Sequence, residues 1–431
     1  MVRRVIHTYW LLAVVTNAAT GFFAPIYTTY LMAKGLSLGQ AQMVNFVYFT
    51  ICLTLEMPTG ALADVFGRKR CYVISRIVIA CAYFTYATAS GVPGFIMAEV
   101  LAGIGSCLAS GAFQAWLRHS LTHHGYTGEL DDITGKSYIL NCVTGFATAQ
   151  IGALSLDHNV IRSVVDTLGK GVLASWIEHH FLVLPWVFGG SLMGCNAVIA
   201  LVLMQDHHVS HQNLRGEIWD HLQHLGRAMQ RAVRYAVSSS DVRLIVCMAL
   251  LFAVATQAPN MQWQPLMKGQ YGFPQAMMGV VWIGISLALA SGGALCVRLK
   301  STRFDRRYTL LCSLLVVGVG ISTTPYLASP ALMMTAFLFN QMGRGVFRPM
   351  IDAYANDQIP KDQEDHRATV LSLTSMPSHL GSMLGLAFSA RIAEAYTIPV
   401  AWRASGMLLV VGACILLFVV TFKKSLATAK N

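Results

Sequence analysis

The feature that most constrains this chain is a succession of apolar runs, each about as long as a helix that crosses a membrane. A helix needs roughly 20 mostly apolar residues to span the hydrocarbon core of a bilayer. Of the 431 residues, 55% are hydrophobic and 12% are charged, whereas soluble domains carry about 25% charged residues. A chain this long with so few charges cannot cover itself with a water-compatible surface, so the composition predicts an integral membrane protein.

The apolar runs also give the number of predicted transmembrane helices, which we refer to as spans 1 to 12. They fall at residues 8–32, 42–63, 71–90, 93–117, 138–156, 181–204, 243–265, 276–297, 308–327, 330–351, 368–391 and 399–422. The sequence therefore predicts an all-α, multi-pass membrane protein with the lipid bilayer as its surroundings.

The basic residues predict the orientation of these spans. With the N-terminus inside, the cytoplasmic segments and their edges hold 23 of the 31 Lys and Arg residues, and the external segments hold six. Lys and Arg favour the cytoplasmic side of a membrane, so we expect both termini to be cytoplasmic and the protein to lie in the plasma or inner cell membrane. The net charge of +11 is spread over short clusters between apolar runs, which does not indicate a nucleic-acid partner.

The longest polar interruption divides the chain into halves. We expect an N-terminal six-helix bundle at 1–204, a cytoplasmic linker with an amphipathic helix at 205–242, a C-terminal six-helix bundle at 243–422 and a cytoplasmic tail at 423–431. Apolar residues at helical spacing predict a second surface-lying amphipathic helix at 160–177. Each half also contains the tripeptide Gly-Ala-Leu, at residues 60–62 in the first half and 293–295 in the second, and a basic loop follows each tripeptide.

A glycine-bounded polar segment separates spans 2 and 3. It reads Gly60-Ala61-Leu62-Ala63-Asp64-Val65-Phe66-Gly67-Arg68-Lys69-Arg70. This segment resembles the signature loop of the major facilitator superfamily. The resemblance implies twelve helices in two pseudo-symmetric six-helix bundles, and secondary transport by alternating access.

The same resemblance implies a gate. Asp64 would bind the start of the eleventh span near Arg367 and hold the outward-open state, while the basic residues keep the loop inside. The gating residues expected from the motif are Gly60, Asp64, Gly67, Arg68, Lys69, Arg70 and Arg367. A loop that only fixes the topology of the chain is the alternative.

Span 1 carries a second resemblance. Residues 21–27 (GFFAPIY) and the following Tyr30-Leu31 are similar to the first helix of the drug:proton antiporter branch of the same superfamily. This similarity implies proton-coupled efflux of a small organic molecule. Span 5 has glycines but lacks the proline of that branch, so uptake or exchange of a metabolite or siderophore-like anion is the alternative.

Ionisable residues inside predicted spans are expensive and are therefore functional candidates. Glu56, Glu99 and Arg344 are the proton-coupling candidates. Arg348 and Asp352 follow Arg344 at intervals of four residues on one helical face and predict a charge network. Two alternatives stay open: Glu56 as a structural carboxylate, and Arg344 as the binding group for an anionic substrate.

The superfamily resemblance implies that spans 1, 4, 7 and 10 line a central cavity. The candidate cavity residues are Asn17, Tyr27, Tyr30, Gln114, Gln257, Asn260, Gln264, Asn340 and Arg344. Polar amides flanked by aromatic rings suit a moderately sized organic molecule. Packing of the spans by these polar side chains is the alternative.

We expect no metal site, no cofactor and no enzymatic activity. His207 and His211 have the spacing of a metal pair on one helix, but no cysteine or acid completes a set around the linker histidines. No Gly-x-x-x-x-Gly-Lys-Ser/Thr loop is present for nucleotide binding. A membrane-embedded transferase using His379 with Asp352 and a metal transporter are weaker alternatives. The expected partners are a small-molecule substrate and protons, with the protein acting as a monomer.

Overall fold

The computed structural model describes residues 1–128, 130–169, 171–206, 234, 239–300, 305–358 and 367–428. These residues form α-helices and two short 3₁₀ turns, with no β-strand among them. The helices are α1 (Val2–Gly21), α2 (Tyr27–Ala33), α3 (Leu38–Phe66), α4 (Arg68–Thr88), α5 (Gly91–His123), α6 (Leu130–Leu154), α7 (His158–Leu168), α8 (Val172–His180), α9 (Leu184–Leu203), α10 (Ser240–Tyr271), α11 (Met277–Lys300), α12 (Arg306–Thr323), α13 (Pro330–Asp357), α14 (Arg367–Ala395) and α15 (Ile398–Thr428).

Each of the twelve predicted spans coincides with one of these helices or with a broken pair of them. By length and composition, eight helical segments of the described chain are apolar enough to cross a membrane, or nine if a bent pair counts as one span. Spans 1, 10 and 11 are not among these segments, and the first two have identifiable features that explain this. Span 1 is divided between α1 and the seven-residue α2, and α13 carries Arg344, Arg348 and Asp352.

Pro25 explains the break in span 1. Proline has no backbone N–H and its ring clashes with the carbonyl four residues earlier, so it interrupts a helix. Here α1 ends at Gly21, the amide nitrogens of Phe23 and Ala24 both donate to the Thr20 carbonyl, and α2 begins at Tyr27. The break therefore places Tyr27 in the first turn of a separate, short helix.

Two glycines explain the geometry of the motif loop. Gly67 joins α3 to α4 with a φ of 102°, a conformation that glycine adopts without the steric cost of a Cβ atom. Gly60 lies opposite Gly111 of α5, where an added Cβ on Gly111 would sit 3.1 Å from the Gly60 Cα. The glycines of the motif thus permit an abrupt turn and a close approach of α3 to α5.

The chain divides into two compact units. The first unit comprises Met1–Leu225 and Gly272–Ile283, and the second comprises Gly226–Tyr271 and Gly284–Asn431. In the first unit α4 packs between α5 and α9, α3 packs against α5, and α1 packs against α6 and α9. In the second unit α10 packs against α14 and α15, and α12 packs against α13 and α15.

The amphipathic segment predicted at 160–177 is two helices rather than one. The chain turns at Gly169, which has a φ of 72°, so α7 ends there and α8 starts at Val172. The segment Ile133–Leu154 of α6 makes an angle of 86° with α7. The predicted linker helix, in contrast, lies almost entirely outside the described residues.

Candidate functional site

Arg344 of α13 forms the most distinctive polar cluster in the second unit. One guanidinium nitrogen donates to Gln341 Oε1 at 2.8 Å, and the other donates to Asn260 Oδ1 of α10 at 2.6 Å. The Arg344 side chain is half-buried, and Asn260 is exposed. The cluster therefore presents a cation held by two neutral amides on an accessible face of the unit.

No acidic side chain pairs with Arg344 within the described part of the chain. The neighbouring charge that acts on it is another cation, Arg348, one turn further along α13. A buried or half-buried cation is normally paired or wetted because its desolvation is costly. The arrangement is therefore suited to an anionic group supplied from outside the protein.

The other cavity candidates of the second unit are buried inside it. Gln257 Nε2 donates to Ser382 Oγ at 2.8 Å, and Asn340 Nδ2 donates to the Val317 carbonyl at 2.7 Å. Gln257, Gln264 and Asn340 are each at most 5% exposed. In the conformation described, Gln257 and Asn340 join helices and Gln264 is buried, whereas Asn260 and Arg344 remain accessible.

Glu99 of α5 forms the most distinctive cluster in the first unit. Its Oε1 accepts hydrogen bonds from the hydroxyls of Tyr27 of α2 and Tyr86 of α4, the latter at 2.5 Å. The Asn45 side chain of α3 also hydrogen-bonds with this carboxyl group. Glu99 is only 4% exposed, so a buried carboxyl group ties three other helical segments to α5.

An aromatic cluster surrounds the two tyrosines that bind Glu99. The Trp186 ring stacks on Tyr86 with centroids 4.0 Å apart and on Phe23 with centroids 4.4 Å apart. The hydroxyl of Tyr30, a further cavity candidate, donates to the Tyr86 carbonyl at 2.7 Å. Tyr30 and Trp186 are fully buried, so this part of the first unit is densely packed.

The remaining candidates of the first unit lie apart from the Glu99 cluster. Asn17 donates to the Asn141 carbonyl and thereby joins α1 to α6. Gln114 is exposed and donates to the Tyr9 hydroxyl at 3.0 Å. Glu56 is half-buried in α3. The structure thus brings Tyr27 and Tyr30 together near Glu99 but does not bring Asn17 or Gln114 to them through a direct contact.

The motif loop is anchored within the first unit. Arg68 donates to the Ala115 carbonyl of α5 at 3.1 Å, and the Lys69 backbone lies 3.5 Å from Asp206 Oδ1. Arg70 is exposed. The side chains of Asp64 and Arg367 lie outside the described part of the structure, so the latch between them stays a prediction.

Comparison with known proteins identifies the family. The family model described as the Major Facilitator Superfamily matches residues 9–126 and 245–431. The chain belongs to this superfamily. It is therefore a multi-pass membrane protein of a family of secondary transporters, and the predicted fold class is confirmed.

Individual relatives are distant. An uncharacterized MFS-type transporter, YxaM of Bacillus subtilis (strain 168), is 22% identical over 413 residues, covering 94% of this chain and 92% of the relative. A molybdate-anion transporter of Takifugu rubripes is 23% identical over 355 residues, covering 78% and 69%. The crystal structure of the nucleoside transporter NupG superposes with a TM-score of 0.73 at 12% identity, covering 96% and 98%. At this identity the structural similarity shows the fold alone.

The predicted charge network of this transporter lies on α13, which also makes a polar contact with Arg307 that the sequence did not indicate. Arg348 and Asp352 are both exposed in α13. Further along, Arg307 of α12 donates to Tyr354 Oη at 3.0 Å and to Asp241 Oδ2 at 3.2 Å. These contacts tie the beginning of α10 to α12 and α13 at one end of the second unit. Sequence reasoning placed Arg307 in a basic loop and did not identify its partners.

Sequence reasoning also missed Arg76, which was not among the charged candidates inside the predicted spans. Arg76 lies eight residues beyond Arg68 in α4 and is 4% exposed. Its guanidinium contacts Ser75 Oγ at 3.0 Å and Thr16 Oγ1 at 3.3 Å and lies 4.8 Å from the Tyr72 ring centroid. Its place two helical turns beyond the loop was the available signal that this arginine enters the membrane.

Metal and enzyme hypotheses gain no support from the described residues. No group of three or more His, Cys, Asp or Glu side chains in the described ranges is arranged to hold a metal ion. The linker histidines, including His207 and His211, fall outside those ranges. His379 is half-buried in α14 and Asp352 is exposed in α13, and the superfamily is one of transporters rather than enzymes.

Proposed function

We propose that this protein is a proton-coupled secondary transporter that exports a small organic molecule carrying an anionic group. The observation that carries the proposal is Arg344, a cation whose two described hydrogen-bond partners, Gln341 and Asn260, are neutral amides. The superfamily supplies the alternating-access mechanism. A distant relative described as a molybdate-anion transporter agrees with an anionic substrate.

The chemistry of Arg344 explains why an anion is favoured. A guanidinium group presents several N–H donors in a planar fork that matches carboxylate and phosphate geometry. Gln341 and Asn260 orient this fork through their side-chain oxygens without neutralising its charge. An entering carboxylate would gain charge-assisted hydrogen bonds, each contributing about 1.5–3 kcal/mol. An amphipathic cation would be repelled by the same group.

The membrane potential supports export as the direction. With the interior negative, an anion leaving and a proton entering both move positive charge inward. Each elementary charge gains about 2.3 kcal/mol per 100 mV, so one-for-one exchange gains roughly twice that. Uptake of the same anion would work against the potential if it entered alone and would gain nothing from the potential if one proton accompanied it. The similarity of span 1 to the drug:proton antiporter branch agrees with this direction.

Proton coupling requires a group that binds and releases a proton, and the candidates in the first unit are Glu56 and Glu99.

We propose that the transporter functions as a monomer in the plasma or inner cell membrane. Both termini are cytoplasmic in this proposal, as the distribution of basic residues predicts. In this arrangement the external half of span 1 is the half that contains α2 and Tyr27.

The experiment that tests the substrate class is a comparison of anion and cation flux. A thermal-stabilisation screen of organic anions and cations on the purified protein selects the probes, with benzoate, molybdate and ethidium included from the start. Flux of each probe is then measured in proteoliposomes holding the wild type, Arg344→Gln or Arg162→Gln. Arg162 is an exposed arginine on α7, so its replacement is a matched control.

We expect an organic anion to be transported by the wild type and by Arg162→Gln. In Arg344→Gln its half-saturating concentration should rise about 10- to 100-fold, the equivalent of one charge-assisted hydrogen bond. Equal anion flux in Arg344→Gln and the wild type would contradict the role of Arg344. Transport of ethidium alone would contradict the proposed substrate class.

A further inference from the structure

The break in the first span leaves a short, separate helical segment whose first residue contacts a buried acid. Pro25 interrupts the helix, and the next helix, α2, is seven residues long and starts at Tyr27. The Tyr27 hydroxyl donates to Glu99 Oε1 on α5. A side chain at the start of a short helix beyond a proline break is therefore held by a carboxyl group on a long, regular helix.

Glu99 is held by neutral donors and not by a basic partner. Tyr27, Tyr86 and Asn45 hydrogen-bond with its carboxyl group, and no Lys or Arg pairs with it within the described part of the chain. The titratable groups that face this cluster from the packed elements are Tyr27 and Lys34 from α2 and its end, Tyr48 from α3, and Arg76, Tyr83 and Tyr86 from α4.

Through these contacts, the protonation state of Glu99 sets the strength of the hydrogen bonds that Tyr27 and Tyr86 make with it. Hydrogen bonds to an ionised acceptor are roughly twice as strong as neutral ones. When the carboxylate binds a proton, both tyrosine hydroxyls lose the charged acceptor that they share. Tyr86 is stacked on Trp186 with ring centroids 4.0 Å apart, whereas Tyr27 meets the same ring edge-on with centroids 6.3 Å apart, so the weakened contact has the larger effect on Tyr27 and α2.

We propose that Glu99 is the proton-binding residue of this transporter, and that its protonation releases α2 from α5 through Tyr27. The inference rests on the proposed proton coupling and assigns it to one residue. A proton from the external solution adds to the Glu99 carboxylate, and the same proton leaves when the carboxylate reforms in the other transport state. Tyr27 acts as a positioning residue because it couples the charge of Glu99 to the position of α2.

Glu99 is better placed than Glu56, the other acidic candidate, to couple protonation to movement of α2. Glu99 is 4% exposed and contacts α2 directly through Tyr27. Glu56 is half-buried and belongs to the continuous helix α3, two residues before Pro58. A charge change at Glu99 therefore acts on a segment that a helix break separates from α1, as coupling to alternating access requires.

The test measures the position of α2 as a function of pH. Spin labels are placed at Met32→Cys on α2 and Met97→Cys on α5, since both methionines are exposed at 39% and 56%. The exposed cysteines are first replaced by serine, and they are Cys81, Cys195, Cys247, Cys312 and Cys414. Distances between the labels are recorded from alkaline to acidic pH in liposomes, and substrate-coupled proton flux is recorded in the same preparations.

The variants separate a charge effect from a structural one. Glu99→Gln mimics the protonated acid, Tyr27→Phe removes one donor to the carboxylate, and Glu56→Gln tests the competing candidate. Glu178→Gln makes the same acid-to-amide change at an exposed position on α8 and is the matched control. Because Tyr27→Phe removes the hydroxyl that couples the charge of Glu99 to α2, the distance between the labels should no longer depend on pH, whereas a purely structural role of Tyr27 would leave the pH dependence in place.

We expect the distance to lengthen at acidic pH in the wild type and in Glu178→Gln, and to stay at its acidic value at every pH in Glu99→Gln. Coupled proton flux in Glu99→Gln should fall by about 100-fold, the lower end of the contribution of a positioned proton-transfer group. A pH-dependent distance that persists in Glu99→Gln, or one that is lost only in Glu56→Gln, would overturn the inference.

The proton-flux measurement keeps the two proposals distinguishable. If the wild type moves protons with substrate and Glu99→Gln does so equally well, the assignment to Glu99 fails and proton coupling stands. If the wild type transports substrate without any proton movement, the proposed coupling fails, and the assignment of Glu99 as its proton-binding residue fails with it. A pH response of α2 in that case would show a regulatory site instead.

Discussion

Asn196 of α9 is the side chain whose replacement tests the packing of the first unit most directly. It is fully buried. Its Nδ2 donates to the Leu12 carbonyl at 2.8 Å and to Thr16 Oγ1 at 3.1 Å, and its Oδ1 accepts from the Tyr72 hydroxyl at 3.2 Å. One amide therefore joins α9 to both α1 and α4.

Replacing Asn196 with Ala removes all three hydrogen bonds and should destabilise the protein by about 2 kcal/mol. This magnitude follows because side-chain hydrogen bonds between membrane helices average about 0.6 kcal/mol each. For a unit of this size, a loss of about 2 kcal/mol lowers the midpoint of thermal unfolding by about 4–8 °C. The assay is thermal unfolding of the purified protein in detergent, followed by its size-exclusion profile.

Two further variants give the Asn196 experiment its controls. Asn159→Ala, at an exposed position on α7, should leave the midpoint unchanged. Asn196→Asp keeps the acceptor for Tyr72 and places a carboxylate next to Thr16, which also contacts Arg76. We expect Asn196→Asp to lose less stability than Asn196→Ala, because Arg76 has no acidic partner within the described residues. Equal midpoints for Asn196→Ala and the wild type would refute the reasoning.

Three other substitutions have defined expected outcomes. Gly67→Ala forces a Cβ into a backbone with φ of 102° and should cost about 1–3 kcal/mol, measured by thermal unfolding; an unchanged midpoint would contradict this. Asp64→Asn should reduce transport while membrane insertion stays normal, and undiminished flux would contradict the predicted latch between Asp64 and the start of span 11. Arg344→Lys keeps the charge but not the planar fork, so anion affinity measured by flux should fall about tenfold, and affinity equal to the wild type would contradict the geometry.

The helices of this protein could be predicted from its sequence because the length and apolar composition of each run indicate a membrane-spanning helix without reference to the rest of the chain. Residues 8–32 are apolar enough to span a bilayer and were predicted as one span, whereas the break at Pro25 was not predicted. The number of spans and the family followed from such runs and from the segment Gly60 to Arg70. The break at Gly169 was missed because helical spacing of apolar residues continues across it.

The partners of the buried charges could not be predicted in the same way. Arg344 contacts Asn260, 84 residues earlier, and Glu99 contacts Tyr27, 72 residues earlier. These pairs depend on which helices lie side by side, which no local pattern of residues encodes. Arg76 was not singled out as a charge inside a span, although the predicted span 3 starts at residue 71.

The central claim is that the flow of protons drives an organic anion in the opposite direction. Accumulation of the anion selected by the thermal screen, in proteoliposomes with an imposed pH gradient, tests it whichever way the protein is inserted. Exchange requires that an acidic lumen drives accumulation of the anion inside, because protons leave as the anion enters. Accumulation only with an alkaline lumen would show co-transport, and accumulation that ignores the gradient would show transport without proton coupling.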